Sequence, residues 1–246
     1  MNTFPVAIVT GASGGIGASV ATRLAADGFC VLVHYSGNAA SAAKVVDTIT
    51  AAGGKAIAAK ADVAKPAEVR ALFDAAITAF GHVDVLVNSA GIMPPTLPPL
   101  AETTDEVFDS LFAVNVKGSF NTMREAASRL RKGGRIINFS TSVIGLALPG
   151  YAVYGATKGA IEVMTNIFAK ELRGKDIAVN AVAPGPTATA LFLNGKPQEV
   201  IDRLSKAAPL ERLGQPEDIA GTVAFLVGPD AGWINGQTLR ANGGIV

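Results

Sequence analysis

Short, uninterrupted apolar runs alternate with longer helix-periodic segments, and this alternation constrains the fold more than any other feature of the sequence. Six runs rich in Val, Ile and Leu are typical of strands covered on both faces. They are Val6 to Thr10, Cys30 to Tyr35, Ala56 to Ala59, Val83 to Asn88, Arg135 to Ser140 and Ile177 to Val182. The Ala-rich amphipathic segments between them, predicted as helices, lie near 16–27, 39–52, 67–80, 105–131 and 155–173. A helix near 217–227 and a strand near 237–241 complete the series.

This alternation predicts a parallel sheet with right-handed crossover connections and a layer of helices on each face. No change in composition, linker or internal repeat divides the 246 residues, so we expect residues 1–246 to form one domain. The stretch 184–215 is long for a connection inside a compact domain, and such loops are usually lids or binding loops. It follows the sixth predicted strand, at the edge where α/β sheets bind ligands.

Composition excludes several classes of function. Hydrophobic residues make up 49% of the chain and the net charge is +1, which excludes intrinsic disorder and offers no basic surface for nucleic acid. The single cysteine, Cys30, and two histidines, His34 and His82, leave no expected metal cluster. The N-terminal segment has no basic residue before its apolar run, unlike a secretory signal, so we expect a cytoplasmic protein. The charge-free stretches Ile136 to Thr157 and Ile177 to Gly195 contain Pro and Gly, so neither is expected to span a membrane.

A glycine-rich turn, Thr10-Gly11-Ala12-Ser13-Gly14-Gly15-Ile16-Gly17, joins the first predicted strand to the first predicted helix. Gly11, Gly15 and Gly17 allow the backbone to turn tightly and leave no side chain between the helix N-terminus and a pyrophosphate. The free amides and the dipole of the helix favour that negative charge. Because the turn opens a βαβ series, it indicates that the domain binds a dinucleotide.

This turn and five later motifs resemble the short-chain dehydrogenase/reductase family, whose glycine pattern is TGxxxGxG. The later matches are Asp62-Val63, Asn88-Ser89-Ala90-Gly91 with Ser89 replacing the family's second Asn, Asn115 in Asn115-Val116-Lys117-Gly118, Tyr154-Gly155-Ala156-Thr157-Lys158 as YxxxK, and Pro184-Gly185 with Thr189. The resemblance implies a single doubly wound Rossmann domain, an α/β fold with a seven-stranded parallel sheet in the order 3-2-1-4-5-6-7. It also implies a homodimer or homotetramer formed through the helices near 105–131 and 155–173.

Tyr154 and Lys158 are four residues apart in a predicted helix, so their side chains share a helix face. A phenol has an ordinary pKa of about 10, and a cation within about 4–6 Å stabilises the phenolate. We therefore expect Lys158, helped by a cationic nicotinamide ring, to lower the pKa of Tyr154. The resemblance implies that Tyr154 is the general acid/base, that Lys158 also holds ribose hydroxyls, and that Asn115 positions a water that resupplies the proton.

Two hydroxyl groups compete as the partner of Tyr154. Ser140, Thr141 and Ser142 all lie at the end of the fifth predicted strand, where an α/β sheet presents its ligand-binding groups. Ser142, followed by Val143-Ile144-Gly145, fits the local sequence of the family, whereas Thr141 fits the commoner spacing to the tyrosine. We assign Ser142. The predicted catalytic residues are Asn115, Ser142, Tyr154 and Lys158.

The cofactor preference follows from the end of the second predicted strand, which reads His34-Tyr35-Ser36-Gly37-Asn38. It lacks the carboxylate that would bind a ribose 2′-hydroxyl and repel a 2′-phosphate. The cationic residues that many NADP-using relatives carry are also missing, so we expect NADP(H) held by neutral donors from Ser36, Asn38 and His34. The predicted cofactor-binding residues are Gly11, Ser13, Gly15, Ile16, Gly17, Ser36, Asn38, Asp62, Val63, Asn88, Ala90, Gly91, Tyr154, Lys158, Pro184, Gly185, Thr187 and Thr189.

These residues predict an NADP(H)-dependent oxidoreductase that interconverts a carbonyl and a secondary alcohol by hydride transfer. Pro94 to Leu100 and Ala190 to Leu193 predict a mostly apolar pocket for an uncharged or amphipathic small molecule. One alternative is a non-catalytic dinucleotide-binding regulator or scaffold, which would not need the acid and its relay. Enoyl-thioester reduction is another, although relatives that carry it out typically space the tyrosine and the lysine further apart.

Overall fold

A computed structural model describes residues 3–94 and 96–246 and shows a seven-stranded sheet between two layers of helices. The strands are β1 (Val6–Thr10), β2 (Cys30–Tyr35), β3 (Lys55–Lys60), β4 (Val83–Asn88), β5 (Leu130–Phe139), β6 (Ala178–Pro184) and β7 (Thr238–Ala241). Their order is β3-β2-β1-β4-β5-β6-β7, and each neighbouring pair is parallel. The predicted doubly wound Rossmann fold and its strand order are confirmed.

Helices connect these strands and cover both faces of the sheet. They are α1 (Gly15–Ala26), α2 (Ala39–Ala51), α3 (Pro66–Phe80), α4 (Asp105–Leu111), α5 (Gly118–Arg129), α6 (Val143–Leu146), α7 (Ala152–Glu171), α8 (Ala190–Leu193), α9 (Gln198–Ala207) and α10 (Pro216–Val227). A π-helical segment, Phe112–Lys117, joins α4 to α5. Among the residues that the structure describes, none of these helices has the length and apolarity needed to cross a bilayer.

Alternate residues of the central strands point to opposite faces of the sheet, which divides the core into two clusters. Val9 and Val33 pack with residues of α1, α2 and α10 on one face. Ile8, Leu32 and Leu86 pack with residues of α3, α5 and α7 on the other. All five side chains are fully buried, which explains why these strands are continuous apolar runs in the sequence.

The segment predicted as one helix over 105–131 is interrupted, and this part of the prediction is wrong. The π-helical segment separates α4 from α5, and α5 ends at Arg129. Asn115 lies in the π segment, where the Ser119 hydroxyl donates to the Asn115 carbonyl at 2.8 Å. Single π turns inside helices are frequent at functional sites. A helical period of about 3.6 residues does not reveal one extra residue in a turn.

The segment 184–215 is an arm that is closed at its base and carries α8 and α9. Thr187 and Gly214 form a parallel bridge, with Ala188 N donating to Gly214 O at 2.8 Å and Gly214 N to Pro186 O at 2.9 Å. None of the residues of α9 is fully buried. The predicted long connection therefore contains two short helices and is tied to the sheet through this bridge.

The surfaces of α5 and α7 expose large apolar side chains. Phe120 on α5 is 45% exposed, and Val163 and Ile167 on α7 are 59% and 50% exposed. Exposed apolar side chains on neighbouring helices are consistent with subunit contacts. Self-association through these helices stays a prediction.

A methyl group on Gly17 is expected to destabilise the fold, because its Cβ would lie 2.4 Å from the backbone oxygen of Gly11. A Cβ on Gly14 meets nothing within 4 Å, and its φ of -175° is extended backbone that any residue adopts. We expect Gly17→Ala to lower the free energy of unfolding by about 1–3 kcal/mol, and Gly14→Ala by less than about 0.5 kcal/mol. Urea denaturation without cofactor measures both. Equal stability of the two variants would contradict the close packing of the turn.

Candidate active site

The carboxyl ends of the strands open into one cleft of about 800 Å³. This is the edge at which α/β sheets bind ligands. The glycine turn after β1 and the side chain of Tyr154 on α7 both line it. The predicted site residues that line the cleft are Gly11, Ser13, Gly15, Ile16, Gly17, Ser36, Asp62, Val63, Ala90, Gly91, Ser142, Tyr154, Lys158, Pro184, Gly185, Thr187 and Thr189.

The glycine turn is held between the ends of β2 and β4. Gly11 has a φ of +64°, and a Cβ there would lie 2.8 Å from the Cα of Ala90. Ala90 N donates to Thr10 Oγ1 at 3.0 Å. Gly14 forms the N-cap of α1 without a side-chain hydrogen bond, so the first amides of this helix are free to bind a ligand in the cleft.

His34 lines the cleft and holds the glycine turn. Its Nδ1 accepts a hydrogen bond from Gly11 N at 2.9 Å, and its Nε2 bonds the carbonyl of Ala61 at 2.9 Å. Burial lowers the pKa of His34, which favours the neutral ring that this pairing needs. Both ring nitrogens are bonded within the chain, and a hydrogen bond from His34 to a cofactor stays a prediction. No local motif indicates a bond between residues this far apart in the chain.

Asn38 and Asn88 belong to the predicted cofactor set, but neither lines the cleft. Asn38 Oδ1 accepts from Ser41 N at 2.9 Å and caps α2. Asn88 is buried: its Nδ2 donates to Asn138 Oδ1 at 2.8 Å and its Oδ1 accepts from Thr122 Oγ1 at 2.7 Å. These side chains tie backbone and helices together, and the assignment of both residues to the cofactor stays a prediction.

Tyr154 and Lys158 share one face of α7, as their spacing predicts. Lys158 Nζ lies 5.9 Å from the centroid of the Tyr154 ring and donates to the carbonyl of Phe139 at 2.9 Å. Burial raises the pKa of Tyr154 to about 12 and lowers the pKa of Lys158 to about 8. Desolvation is the largest cause of the raised pKa of Tyr154 in the chain alone, and a lower pKa in the presence of a cationic nicotinamide ring stays a prediction.

Thr141, not Ser142, is the hydroxyl that interacts with Tyr154. A hydrogen bond from the Thr141 side chain opposes the rise in the pKa of Tyr154. Ser142 Oγ instead donates to the carbonyl of Ala183 at 3.1 Å and accepts from Asn242 Nδ2 at 3.0 Å. Both residues line the cleft, and the assignment of Ser142 as a catalytic hydroxyl stays a prediction.

Asn115 uses its side chain to hold two segments together. Its Oδ1 accepts from Ile92 N at 2.8 Å, and its Nδ2 donates to Ile92 O at 2.9 Å and to Thr157 Oγ1 at 3.2 Å. Gly91 lies between Asn115 and Lys158, since a Cβ on it would be 3.3 Å from the amide oxygen and 3.5 Å from the amine. The role of Asn115 in resupplying a proton stays a prediction.

The motifs in the sequence did not indicate two residues near Tyr154 and Lys158: Glu162 in α7 and Tyr151, which directly precedes this helix. Ser140 Oγ donates to Glu162 Oε1 at 2.6 Å, which ties the end of β5 to α7. Tyr151 lines the cleft, and its ring packs edge-on against Tyr154 with centroids 6.4 Å apart. Helical spacing was the available signal, since these residues lie about one turn from Tyr154 and Lys158.

Many of the side chains that line the cleft are apolar. Of the predicted segment 190–193, Ala190, Leu191 and Phe192 line it. None of the described residues of 94–100 does, which corrects that prediction, and Pro95 lies outside the described residues. The apolar side chains that line the cleft include Ile92, Met93, Val143, Leu146, Leu148, Leu191, Phe192 and Leu204.

Comparisons with known proteins agree with this geometry. A family model described as "Enoyl-(Acyl carrier protein) reductase" matches residues 11–246. A short-chain type dehydrogenase/reductase of Picea abies is 47% identical over 249 residues, which cover 98% of this chain and 92% of the relative. An "NADPH-dependent aldehyde reductase-like protein, chloroplastic" of Arabidopsis thaliana is 43% identical over 253 residues, covering 98% and 94%.

Solved structures show the same likeness. A short chain dehydrogenase from Burkholderia cenocepacia J2315 in complex with NADP has a TM-score of 0.92 and 37% identity, and the match covers 98% of this chain and 97% of that one. The chain belongs to the short-chain dehydrogenase/reductase family. It is an oxidoreductase of that class.

Lys158→Met is expected to raise stability near neutral pH. The pKa of Lys158 is about 8 in the folded chain against an ordinary 10.5, so keeping this amine charged below pH 8 costs the folded state up to about 3 kcal/mol. Between these two values the unfolded chain binds more protons, so wild-type stability rises with pH. We expect a higher Tm for the variant at pH 7 and a shrinking difference above pH 8. A difference that does not change with pH would contradict the buried charge.

Proposed function

We propose that the protein is an NADP(H)-dependent oxidoreductase that interconverts a carbonyl and a secondary alcohol, with Tyr154 as general acid/base. One observation carries this proposal: the Tyr154–Thr141 pair, the buried Lys158 ammonium and the uncapped N-terminus of α1 line a single cleft. Tyr154, Thr141 and Lys158 suit proton transfer to a carbonyl oxygen. The free helix amides suit a pyrophosphate.

The residues of the cleft fit a dinucleotide. The turn at Gly14 and Gly15 leaves no side chain over the first amides of α1, where we place the pyrophosphate. Asp62 and Val63 line the cleft toward β3 and are assigned to the adenine, while Gly185 and Thr187 follow β6 and are assigned to the nicotinamide amide. When bound, the nicotinamide supplies or accepts the hydride.

The end of β2 supports NADP(H). Ser36 and Gly37 line the cleft without a carboxylate that would repel a 2′-phosphate, and the N-terminus of α2 follows directly. The Arabidopsis relative is named for NADPH, and the Burkholderia structure holds NADP. These observations favour the phosphorylated cofactor, held by neutral donors.

The residues around Tyr154 suit the reductive direction. With a pKa of about 12, the phenol of Tyr154 stays protonated at physiological pH and is available as a proton donor. The Thr141 hydroxyl lies beside it and would donate to the same carbonyl oxygen, where negative charge develops. Lys158, largely protonated at pH 7, stabilises the phenolate that proton transfer leaves behind.

The lining of the cleft indicates a neutral substrate. Among the described residues that line it, only Asp62 and Lys158 are charged at neutral pH. A charged substrate would lose its hydration there without gaining a partner. A buried ammonium that costs stability is also hard to explain in a non-catalytic regulator, whereas perturbed groups of this kind are typical of active sites.

The catalytic assignment predicts a ranking of three variants against a panel of ketones and aldehydes. We expect Tyr154→Phe to lower kcat/KM by about 10³-fold and Thr141→Val by about 10²-fold, because they remove the proton donor and the second hydrogen bond to the oxygen. Ser142→Ala should change kcat/KM by less than about threefold, since its hydroxyl faces Ala183. Steady-state kinetics with NADPH measures all three.

Full activity of Tyr154→Phe would contradict this catalytic assignment. A wild-type protein that binds NADPH but reduces no carbonyl of the panel would favour the regulator instead. A larger loss in Ser142→Ala than in Thr141→Val would restore the assignment made from the sequence.

The cofactor assignment predicts the effect of a carboxylate at the end of β2. Ser36→Asp should lower kcat/KM with NADPH by about 100-fold, because its charge repels the 2′-phosphate, and should affect the value with NADH much less. Ser36→Ala is the control, which loses one neutral donor without adding charge. A wild-type protein with NADH at least about tenfold better than NADPH would contradict NADP(H) as the cofactor.

A further inference from the structure

We infer that Tyr151 is a specificity-determining residue whose hydroxyl donates a hydrogen bond to a second oxygen of the substrate, on the carbon next to the reacting carbonyl. The substrate class is then neutral, largely apolar α-diketones and α-hydroxy ketones. This inference rests on the proposed function, since it concerns the substrate of the same site.

Tyr151 stands beside the reacting position. It precedes α7 by one residue and lies about one helical turn before Tyr154, so both rings face the cleft. The ring centroids are 6.4 Å apart at an angle of 67°. The two phenols are close enough for the charge of Tyr151 to affect the ionisation of Tyr154. We therefore place the two oxygens of the substrate on neighbouring carbons, each bonded to one phenol at about 2.8 Å.

The hydroxyl of Tyr151 is also available to donate a hydrogen bond to a ligand. The neighbouring hydroxyls are engaged: Ser140 bonds Glu162, and Ser142 bonds Ala183. Thr141 interacts with Tyr154. Within residues 3–94 and 96–246, the Tyr151 hydroxyl has no hydrogen-bond partner. Burial raises the pKa of this phenol, so it remains a donor at neutral pH.

The surroundings of Tyr151 select for a neutral oxygen. Leu146 and Leu148 line the cleft with it, and a half-buried hydroxyl among apolar side chains gains free energy when a ligand oxygen satisfies it. A carboxylate would need a cation, and Lys158 is already bonded to Phe139 O. A carbonyl or hydroxyl oxygen of the substrate therefore fits this position best.

The experiment compares wild type and Tyr151→Phe on two ketones with one carbon skeleton, 1-phenyl-1,2-propanedione and 1-phenyl-2-propanone. The dione is intrinsically more reactive, but this difference cancels when the change in kcat/KM caused by the substitution is compared between the ketones. We expect a fivefold to tenfold loss for the dione, roughly the worth of one hydrogen bond, and less than about twofold for the monoketone.

Two controls make the result specific. Tyr35→Phe removes the same hydroxyl from a tyrosine outside the cleft and should lower the values for both ketones equally or not at all. The Kd for NADPH and the Tm of Tyr151→Phe should match those of the wild type, because the lost hydroxyl has no protein partner.

Three outcomes would overturn the inference. Equal changes for both ketones in Tyr151→Phe, or wild-type reduction of the monoketone alone, would exclude the hydrogen bond and leave the proposed function standing. An absence of reduction across the whole panel of ketones and aldehydes would overturn the inference and the proposed function together.

Discussion

The position of Tyr154 in the cleft depends on how α7 is joined to the end of β5, above all by the hydrogen bond from the buried ammonium of Lys158 to the carbonyl of Phe139. Burial disfavours the charged amine, so this contact persists because α7 packs against β5 and β6. Together with the bond from Ser140 Oγ to Glu162 Oε1, it holds α7 against the end of β5. On this part of α7, Tyr154 interacts with Thr141, and Tyr151 lines the cleft. Holding the charged amine of Lys158 in this position therefore lowers the stability of the folded chain.

The glycine turn meets these groups because all strands are parallel. Their carboxyl ends lie at one edge, so the turn after β1 and the residues after β5 share a cleft although they are distant in the chain. His34 contributes to this arrangement from the end of β2, since its ring joins Gly11 to Ala61. The topology of the sheet therefore brings the residues of the cleft together, and side chains such as His34 hold the glycine turn in place.

The features that depend on residues close together in the chain could be predicted from the sequence. Strands buried on both faces leave continuous apolar runs, so their positions and type were predictable, and helical spacing placed Tyr154 beside Lys158. The choice between Thr141 and Ser142 was not predictable, because a shift of one residue changes the direction of the side chain. The pKa values of Tyr154 and Lys158 depend on enclosure by residues far away in the chain. The same holds for the contact between His34 and Gly11.

The bridge between Thr187 and Gly214 has a consequence for how such a protein diversifies. The chain enters and leaves the arm at this bridge, so the residues between Thr187 and Gly214 can be exchanged as one segment. Insertions, deletions or exchanges between these two residues need not disturb the register of the sheet or the turn after β1. The residues of the arm that line the cleft, such as Leu191 and Phe192, can therefore change while the strands stay as they are.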